Sequence, residues 1–372
     1  MTAPGITAPG IYLHVPFCAH RCHYCDFNTY DDLGHLMDRY AAAMVDQITR
    51  MLGSRDWPPF GSVFIGGGTP TLLGEALCPI VDATRPAWAV GAEVTVEANP
   101  ETVDEEYFVT LAKAGVNRVS MGAQSFTPQV LTFLGRQHTA ERPLQAVAAA
   151  RAAGIERVSL DLIYGTPGET DQDWEHSLRT AVDAELDHLS AYALTVEANT
   201  PYATMVRDNP ALAPDEDTQA RRMDAADQIL GNAGLQRYEV SNWARPGYES
   251  QHNLVYWRGG DWLGIGAGAH GHWQGHRTWQ LRAPERWIEA VEAGQEPLGG
   301  EEHVSDIERR EERLLMGLRI TEGVARAEVV PIDEAAAKQL IAQGLLTDDG
   351  QRLRVTAQGR ALTGGIVLKL LP

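Results

Sequence analysis

Cysteine is scarce in this sequence: there are 4 in 372 residues, and three of them, Cys18, Cys22 and Cys25, stand close together while Cys78 is remote. Three clustered thiols and one distant one make a poor disulfide framework and point to a reducing compartment. Long apolar runs are also missing, since none approaches the ~20 residues that span a bilayer. The opening stretch MTAPGITAPG has neither a basic start nor an apolar core, so residues 1–10 are expected to form a loose tail and not a signal peptide, and the expected location is cytoplasmic. Positive charge is short as well. A formal net charge of −19 repels polyphosphate backbones, which argues against nucleic-acid binding and for small molecules and proteins as partners. With 44% hydrophobic and 22% charged residues, the rest is an ordinary globular composition, long enough for one large α/β domain and a smaller unit.

What is present centres on YLHVPFCAHRCHYCDF, Tyr12 to Phe27, whose cysteines form a C-x3-C-x2-C array. The apolar run Ile11 to Val15 reads as a strand, so the thiols fall on the loop at its C-terminal end. A [4Fe–4S] cluster ordinarily takes four cysteines. Only three lie together here, and Cys78 follows Leu77 in a predicted helix with no second ligand type beside it, so one iron is left open. An open iron beside three thiolates lets the amino and carboxylate groups of S-adenosylmethionine chelate the cluster. The competing reading is zinc, with His14, His20 or His23 as fourth ligand. Structural zinc motifs, however, pair their cysteines at shorter spacing and in two separated halves.

Downstream, a cycle of strand-like run, polar or glycine-bearing turn and helix repeats. The runs are SVFIGGGTP (Ser62 to Pro70), EVTVEANP (Glu93 to Pro100), NRVSMGAQSF (Asn117 to Phe126), RVSLDLIYGTPG (Arg157 to Gly168) and HLSAYALTVE (His188 to Glu197). With Ile11 to Val15 they make six, and the intervening helices, such as Leu36 to Leu52 and Arg142 to Ala153, predict parallel βα units. The fold class is therefore α/β, a partial (βα)6 TIM-like barrel over residues 11–245. Functional residues gather at the C-terminal ends of such strands, and the cysteines, Gly66 to Thr69, Glu97, Gln124 and Asp161 all fall there. Residues 246–303, rich in tryptophan, are expected as an extension over the barrel mouth. Within them LGIGAGAHGHW (Leu263 to Trp273) reads as a closely packed loop, because no helix with a downstream acidic residue follows as a dinucleotide fold requires. Residues 304–372 read as helices followed by strand, turn and strand, a winged-helix-like α+β domain. Its ten acidic and ten basic residues leave no basic face for DNA, so a structural or protein-contact role is expected.

Gly66, Gly67 and Gly68 allow close backbone approach, and their amides are candidates to hold a ligand's carboxylate or amine-bearing end. The segment is not a P-loop, since no G-K-[ST] follows, and a plain strand-to-helix turn is the simpler alternative. Taken singly, Glu97, Gln124, Arg136 and Asp161 are compatible with surface or turn roles.

At the cysteine array the sequence resembles the radical S-adenosylmethionine superfamily. The flanking YLHVPFC and CDF resemble the branch that contains oxygen-independent coproporphyrinogen III oxidase and the HemW heme chaperones. The resemblance implies a radical S-adenosylmethionine barrel with a [4Fe–4S] cluster on Cys18, Cys22 and Cys25. It also implies S-adenosylmethionine contacts at Gly67, Gly68 and Thr69 in GGGTP, and at Glu97, Gln124, Arg136 and Asp161, with Tyr12 and Tyr24 beside the cluster. HNLVYW, His252 to Trp257, matches the HNxxYW signature of the heme-chaperone family, and the match makes His252 a candidate axial ligand for heme iron. A core or capping histidine is the alternative, and His270, His272 and His276 are rivals for the role. Phe27 stands where the oxidase family has a further cysteine, and only seventeen residues precede Cys18, so the oxidase's N-terminal extension is not expected. The function implied is a heme carrier delivering heme to an acceptor hemoprotein. The alternative is an oxidoreductase that decarboxylates coproporphyrinogen III, or another tetrapyrrole-modifying enzyme.

Overall fold

The computed structural model describes residues 8–329 and 331–371, so residues 1–7 of the expected tail lie outside the described residues, while Gly10 already opens the first strand. In β1 (Gly10–Val15), Ile11, Leu13 and Val15 are fully buried. Each such side chain is worth about 1.5–3 kcal/mol of transfer free energy. Next come β2 (Phe60–Gly67), β3 (Trp88–Ala98), β4 (Arg118–Gln124), β5 (Arg157–Tyr164) and β6 (His188–Ala193), each parallel to its predecessor. The crossovers are α1 (Met37–Gly53), α2 (Leu77–Thr84), α3 (Glu105–Ala114), the pair α4 (Pro128–Leu134) and α5 (Arg142–Ala152), and α6 (Asp171–Asp183). Local chemistry sets their limits. Asp104 accepts the Tyr107 amide at 2.8 Å to cap α3, and Gly115, at φ 101°, ends it in a left-handed conformation that side chains resist. Thr170 and Asp173 form a reciprocal cap at the start of α6.

The six parallel strands anticipated from the sequence are therefore all present, but the sheet continues beyond them. Helices α7 (Pro201–Asp208) and α8 (Glu216–Asn232) lead to β7 (Gln236–Arg237) and β8 (Asn242–Ala244), and β8 lies antiparallel beside β6. After α9 (Gln251–Trp257) the chain crosses to the other side. There β9 (Trp262–Ile265) pairs parallel with β1, followed by an antiparallel meander of β10 (His270–Trp273), β11 (His276–Gln280) and, past α10 (Pro284–Glu292), β12 (Leu298–His303). Among the described residues, twelve strands form one open sheet ordered β12-β11-β10-β9-β1-β2-β3-β4-β5-β6-β8-β7.

Two expectations are corrected here. LGIGAGAHGHW is not a loop but β9, β10 and their tight connection. A Cβ at Gly264 would come within 2.1 Å of the His270 carbonyl, and Gly266 and Gly268 turn the chain at φ 110° and 79°. Nor does the segment 246–303 simply cover the mouth. Its strands widen the sheet past β1, and α9 starts at the opposite end, where Glu93 accepts the amides of Gln251 and His252 at 2.9 and 3.3 Å, level with the first residues of β2 and β4.

The last unit comprises α11 (Asp306–Gly317), β13 (Val324–Ala325), α12 (Arg326–Val329), α13 (Glu334–Ala342), β14 (Leu346–Asp348), β15 (Arg352–Val355) and α14 (Thr363–Leu370). Its three strands, ordered β13-β15-β14, and its helices enclose a separate core of Leu314, Leu318, Val324, Leu340, Leu353 and Ile366. This is the winged-helix-like arrangement expected, with α14 added beyond it. The Arg258 and Glu322 side chains, 2.7 Å apart, tie the unit to the end of α9. Among the described residues no helix is long and apolar enough to cross a membrane.

Candidate functional site

The loop after β1 is pinned at its base before it carries any chemistry. Phe17 and Tyr30 bridge in parallel, with the Cys18 amide donating to the Tyr30 carbonyl at 3.0 Å and the Tyr30 amide to the Pro16 carbonyl at 2.8 Å. Inside this excursion the Cys25 amide turns back to the Cys22 carbonyl at 3.3 Å. Three neighbours fix the loop from outside. The His23 amide and Nδ1 donate to the Leu134 and Phe133 carbonyls at the end of α4, and the Tyr202 amide of α7 donates to the His23 carbonyl. The Asn28 amide group donates to the Ala267 and Arg282 carbonyls at 3.1 and 3.0 Å, holding the loop to the β9–β10 connection and to the segment that follows β11.

Beside the loop runs the end of β2. The Gly68 amide donates to the Val15 carbonyl at 2.8 Å and the Thr69 amide to the Phe17 carbonyl at 2.7 Å, while Gly67 donates to Glu97 Oε2 at 3.0 Å. Glycine is required by this proximity: a Cβ on Gly67 would meet His14 at 2.6 Å, and one on Gly68 the Phe17 carbonyl at 2.4 Å. The idea of an amide cradle for a carboxylate is corrected, because the amides of Gly67, Gly68 and Thr69 are already satisfied inside the protein. With the Glu97 carboxylate alongside, this edge suits the N–H donors of a ligand amino group instead.

A hydrogen-bonded arc joins two of the cysteines across the mouth. Arg136 donates to Cys22 Sγ at 3.4 Å and to Asn99 Oδ1 at 2.8 Å, Asn99 Nδ2 donates to Thr69 Oγ1 at 3.0 Å, and Thr69 Oγ1 lies 4.0 Å from Cys18 Sγ. Asn99 was missed in the sequence, although it stands two residues past Glu97 in VEANP. Arg136 also donates to the Gly122 carbonyl at 2.8 Å, and its Nε is buried with no partner among the described residues, a donor left for a ligand carboxylate.

Burial pushes the Cys18 thiol up to about 11, and the neighbouring Cys25 adds to the effect; burial raises Cys25 as well. Crowded thiols of this kind ionise only with a cation to share them. Among the described residues no three His, Cys, Asp or Glu side chains converge as a single metal ion requires. A four-iron cluster binds each cysteine through a different iron and spreads the sulfurs further apart than zinc does. His14 is excluded as a fourth ligand: its Nε2 donates to the Asn28 carbonyl at 3.0 Å and its Nδ1 accepts from the Tyr12 hydroxyl at 2.8 Å. Cys78 sits in α2, packed against the main core.

The remaining predicted residues are brought to the same end of the sheet. Burial and the Asp161 carboxylate raise Glu97 to about 8, and burial also raises Asp161, which accepts from Ser120 at 3.3 Å. Two facing carboxylates with raised affinity for protons form a cation-seeking pair. Gln124, at φ 64°, is a non-glycine residue in left-handed backbone where the β4–β5 register shifts, a strained position of the kind that marks functional strand ends. Tyr24 lies beside Cys22 and packs against the small apolar cluster that contains Tyr202 and Leu194. Tyr12 lies below the glycines in a cavity of about 540 Å³, lined also by His14, Gly67, Glu97, Tyr256 and His270.

His252 is not brought to this site as an open ligand. It is 2% exposed, its Nδ1 is 2.9 Å from Ser62 Oγ, its Nε2 is 2.8 Å from the Tyr256 hydroxyl, and its ring stacks on Phe64 at 5.2 Å. Burial lowers its pKa to about 3. In this structure His252 packs as a core histidine, the alternative the sequence offered, with both nitrogens in hydrogen-bonding contact.

Several known proteins resemble this chain in sequence or fold. A model of the Radical SAM superfamily matches residues 12–181, and a model of the HemN C-terminal domain matches residues 304–362. The heme chaperone HemW of Mycobacterium tuberculosis (strain ATCC 25618 / H37Rv) is 43% identical over 368 residues, covering 97% of this chain and 94% of that protein. Heme chaperone HemW of Escherichia coli (strain K12) is 34% identical over 373 residues, covering 96% of each. In structure, coproporphyrinogen III oxidase (HemN) from Escherichia coli, described as a radical SAM enzyme, superposes with a TM-score of 0.84 over 98% of this chain and 90% of that one, at 21% identity, which speaks for the fold alone.

Proposed function

The chain belongs to the HemW family of the radical S-adenosylmethionine superfamily, and from that premise we propose that it is a heme carrier holding a [4Fe–4S] cluster, S-adenosylmethionine and heme, and passing the heme to an acceptor hemoprotein. Cys18, Cys22 and Cys25 hold three irons of the cluster. The fourth takes the amino and carboxylate groups of S-adenosylmethionine. Glu97 and the strand end at Gly67, Gly68 and Thr69 face the amino group, Arg136 the carboxylate, and Gln124 and Asp161 the polar remainder of the cofactor; Tyr12 and Tyr24 wall the site. When bound, the cluster and S-adenosylmethionine supply one-electron chemistry; the protein supplies orientation and a dry, charged cavity. A labile cluster on free thiols belongs in the reducing cytoplasm.

The observation that carries this reading is the arc from Cys22 through Arg136, Asn99 and Thr69 to Cys18. It joins the cysteine loop to the ends of β2, β3 and the β4–α5 region, so the thiols and the ligand-facing residues are one constellation. The test is anaerobic reconstitution with iron and sulfide. The expected product is a brown protein with close to four irons that binds S-adenosylmethionine and takes up heme, and that leaves coproporphyrinogen III unconverted. A Cys22→Ser variant with undiminished chromophore would refute the cluster assignment, and conversion of the porphyrinogen would transfer the chain to the decarboxylase reading.

A further inference from the structure

We propose that heme is seated in the cavity between β1, α9 and the β9–β10 connection, and that His270 is the side chain that meets its iron. The inference rests on the heme-carrier reading and adds the position and the ligand. An axial histidine must present a ring nitrogen free of other bonds to an opening wide enough for a flat macrocycle. Of the histidines lining the cavity, His14 has both nitrogens engaged, by Tyr12 and the Asn28 carbonyl. His252 lies beneath, closed off by Ser62 and Tyr256. His272, two residues along β10 and on the same face of the strand, is buried outside the lining and donates Nδ1 to the Gly260 carbonyl at 3.3 Å, and His276 pairs with Glu301 at 3.0 Å outside the cavity. His270 is exposed and lines the cavity. Its ring stacks on Trp279, at 6.0 Å between centroids, and among the described residues neither nitrogen has a hydrogen bond.

The surroundings fit the cargo. A volume of about 540 Å³ is within the range of small-molecule sites, and Tyr12, Tyr256 and Trp262 give it aromatic walls on which a conjugated ring packs. Phe27, 61% exposed, stands at the rim, where uncovered aromatic surface invites an apolar partner. Arg282 is the cation on the same rim, and in a chain of net charge −19 it offers a specific place for a propionate carboxylate. Gly67 and Glu97 form the inner wall, so heme and S-adenosylmethionine share a boundary.

The test is titration of the full-length, anaerobically reconstituted protein with ferric heme, followed by Soret absorbance and electron paramagnetic resonance. The unaltered protein shows saturable binding with the signature of an imidazole-ligated iron. His270→Ala weakens binding by more than about tenfold, since loss of a mere supporting partner at a metal site already costs about 10–100-fold, and the imidazole signature disappears and returns on adding free imidazole. His176→Ala, which removes an exposed histidine of α6, leaves both readouts unchanged. Unaltered affinity and spectrum in His270→Ala, or loss of the signature with His272→Ala or His276→Ala instead, overturns the ligand while the carrier reading stands. Absence of saturable binding to the unaltered protein overturns both.

Discussion

Glu97→Gln is the substitution whose effect the structure specifies most closely. The wild-type carboxyl sits deep in the mouth, raised to about 8 by burial and by Asp161, and keeps the Gly67 amide as its partner. An amide at the same position retains an oxygen for Gly67 but cannot ionise. Without S-adenosylmethionine, the folded protein holds a proton on Glu97 between about pH 4.5 and pH 8, where the unfolded chain has released it. The folded state therefore binds more protons, and its stability falls as pH rises through that window. A shift of this size corresponds at most to about 5 kcal/mol at 1.36 kcal/mol per unit, and the cavity's access to water reduces it to roughly 3 kcal/mol. Urea unfolding of both proteins, without S-adenosylmethionine and across that window, isolates the difference, because every other titrating group is common to the pair. Glu97→Gln gains on the wild type by up to that amount toward pH 8 and matches it near pH 4.5. Binding of S-adenosylmethionine moves oppositely. Its amino N–H groups and cationic sulfonium favour the ionised carboxylate, so wild-type affinity climbs by up to about tenfold per unit as pH approaches 8, whereas the variant is weaker and flat. A stability difference independent of pH would refute the argument that Glu97 is a buried, proton-holding group.

Three further outcomes are expected. His252→Ala leaves a ring-sized void and strands the hydroxyls of Ser62 and Tyr256, so unfolding in urea should show a loss of about 3 kcal/mol; because the native ring is held at about 3, the parent protein also loses stability as pH falls below about 6.5, a component that the variant lacks. Gln124→Gly relieves left-handed backbone at φ 64° and should gain about 1 kcal/mol in stability while weakening S-adenosylmethionine binding in equilibrium titration. Asn99→Ala cuts the arc between Arg136 and Thr69, and with about 1–3 kcal/mol of buried hydrogen bonding lost it should weaken S-adenosylmethionine binding roughly tenfold or more and alter the cluster's electron paramagnetic resonance spectrum, with the cysteines still loaded.

The parallel half of the sheet was legible because its strands are buried on both faces and their sequences say so: IYLHV, SVFI and VSLDLIY are β-branched and aromatic runs that end in glycine or polar turns. The antiparallel additions are not written that way. β12 reads LGGEEH and is mostly exposed, and it is a strand only because β11 offers it a hydrogen-bonding edge; β9 and β10 are short and interrupted by glycine, so nothing in their periodicity separates them from a loop. The helix α14 was missed for a related reason: TGGIVLKL opens with two poor helix formers, and its Ile366, Val367 and Leu370 are helical because the small core accepts them. Tertiary acceptance decided these elements where local preference did not.

The site divides along the same line. Cys18, Cys22 and Cys25 are legible because their spacing is short and their chemistry belongs to the side chain itself. The choice between the two readings of His252 was not legible, because what an imidazole can do depends on its partners, and Ser62 lies 190 residues away in sequence. Asn99 was overlooked for the converse reason, since its role exists only between Thr69 and Arg136. The parallel register puts these distant residues at one level: Val15 pairs with Gly67, Val96 with Val119, and Gly122 with Asp161. Past Gly122 the β4–β5 register shifts, so that Gln124 pairs with Leu162 and takes up left-handed backbone. A one-residue slip in a strand turns its side chains to the opposite face. The offset at Gln124 therefore changes which side chain β4 presents at the mouth while Arg136 still reaches back to the Gly122 carbonyl, and a sequence motif alone does not reveal that the position is strained.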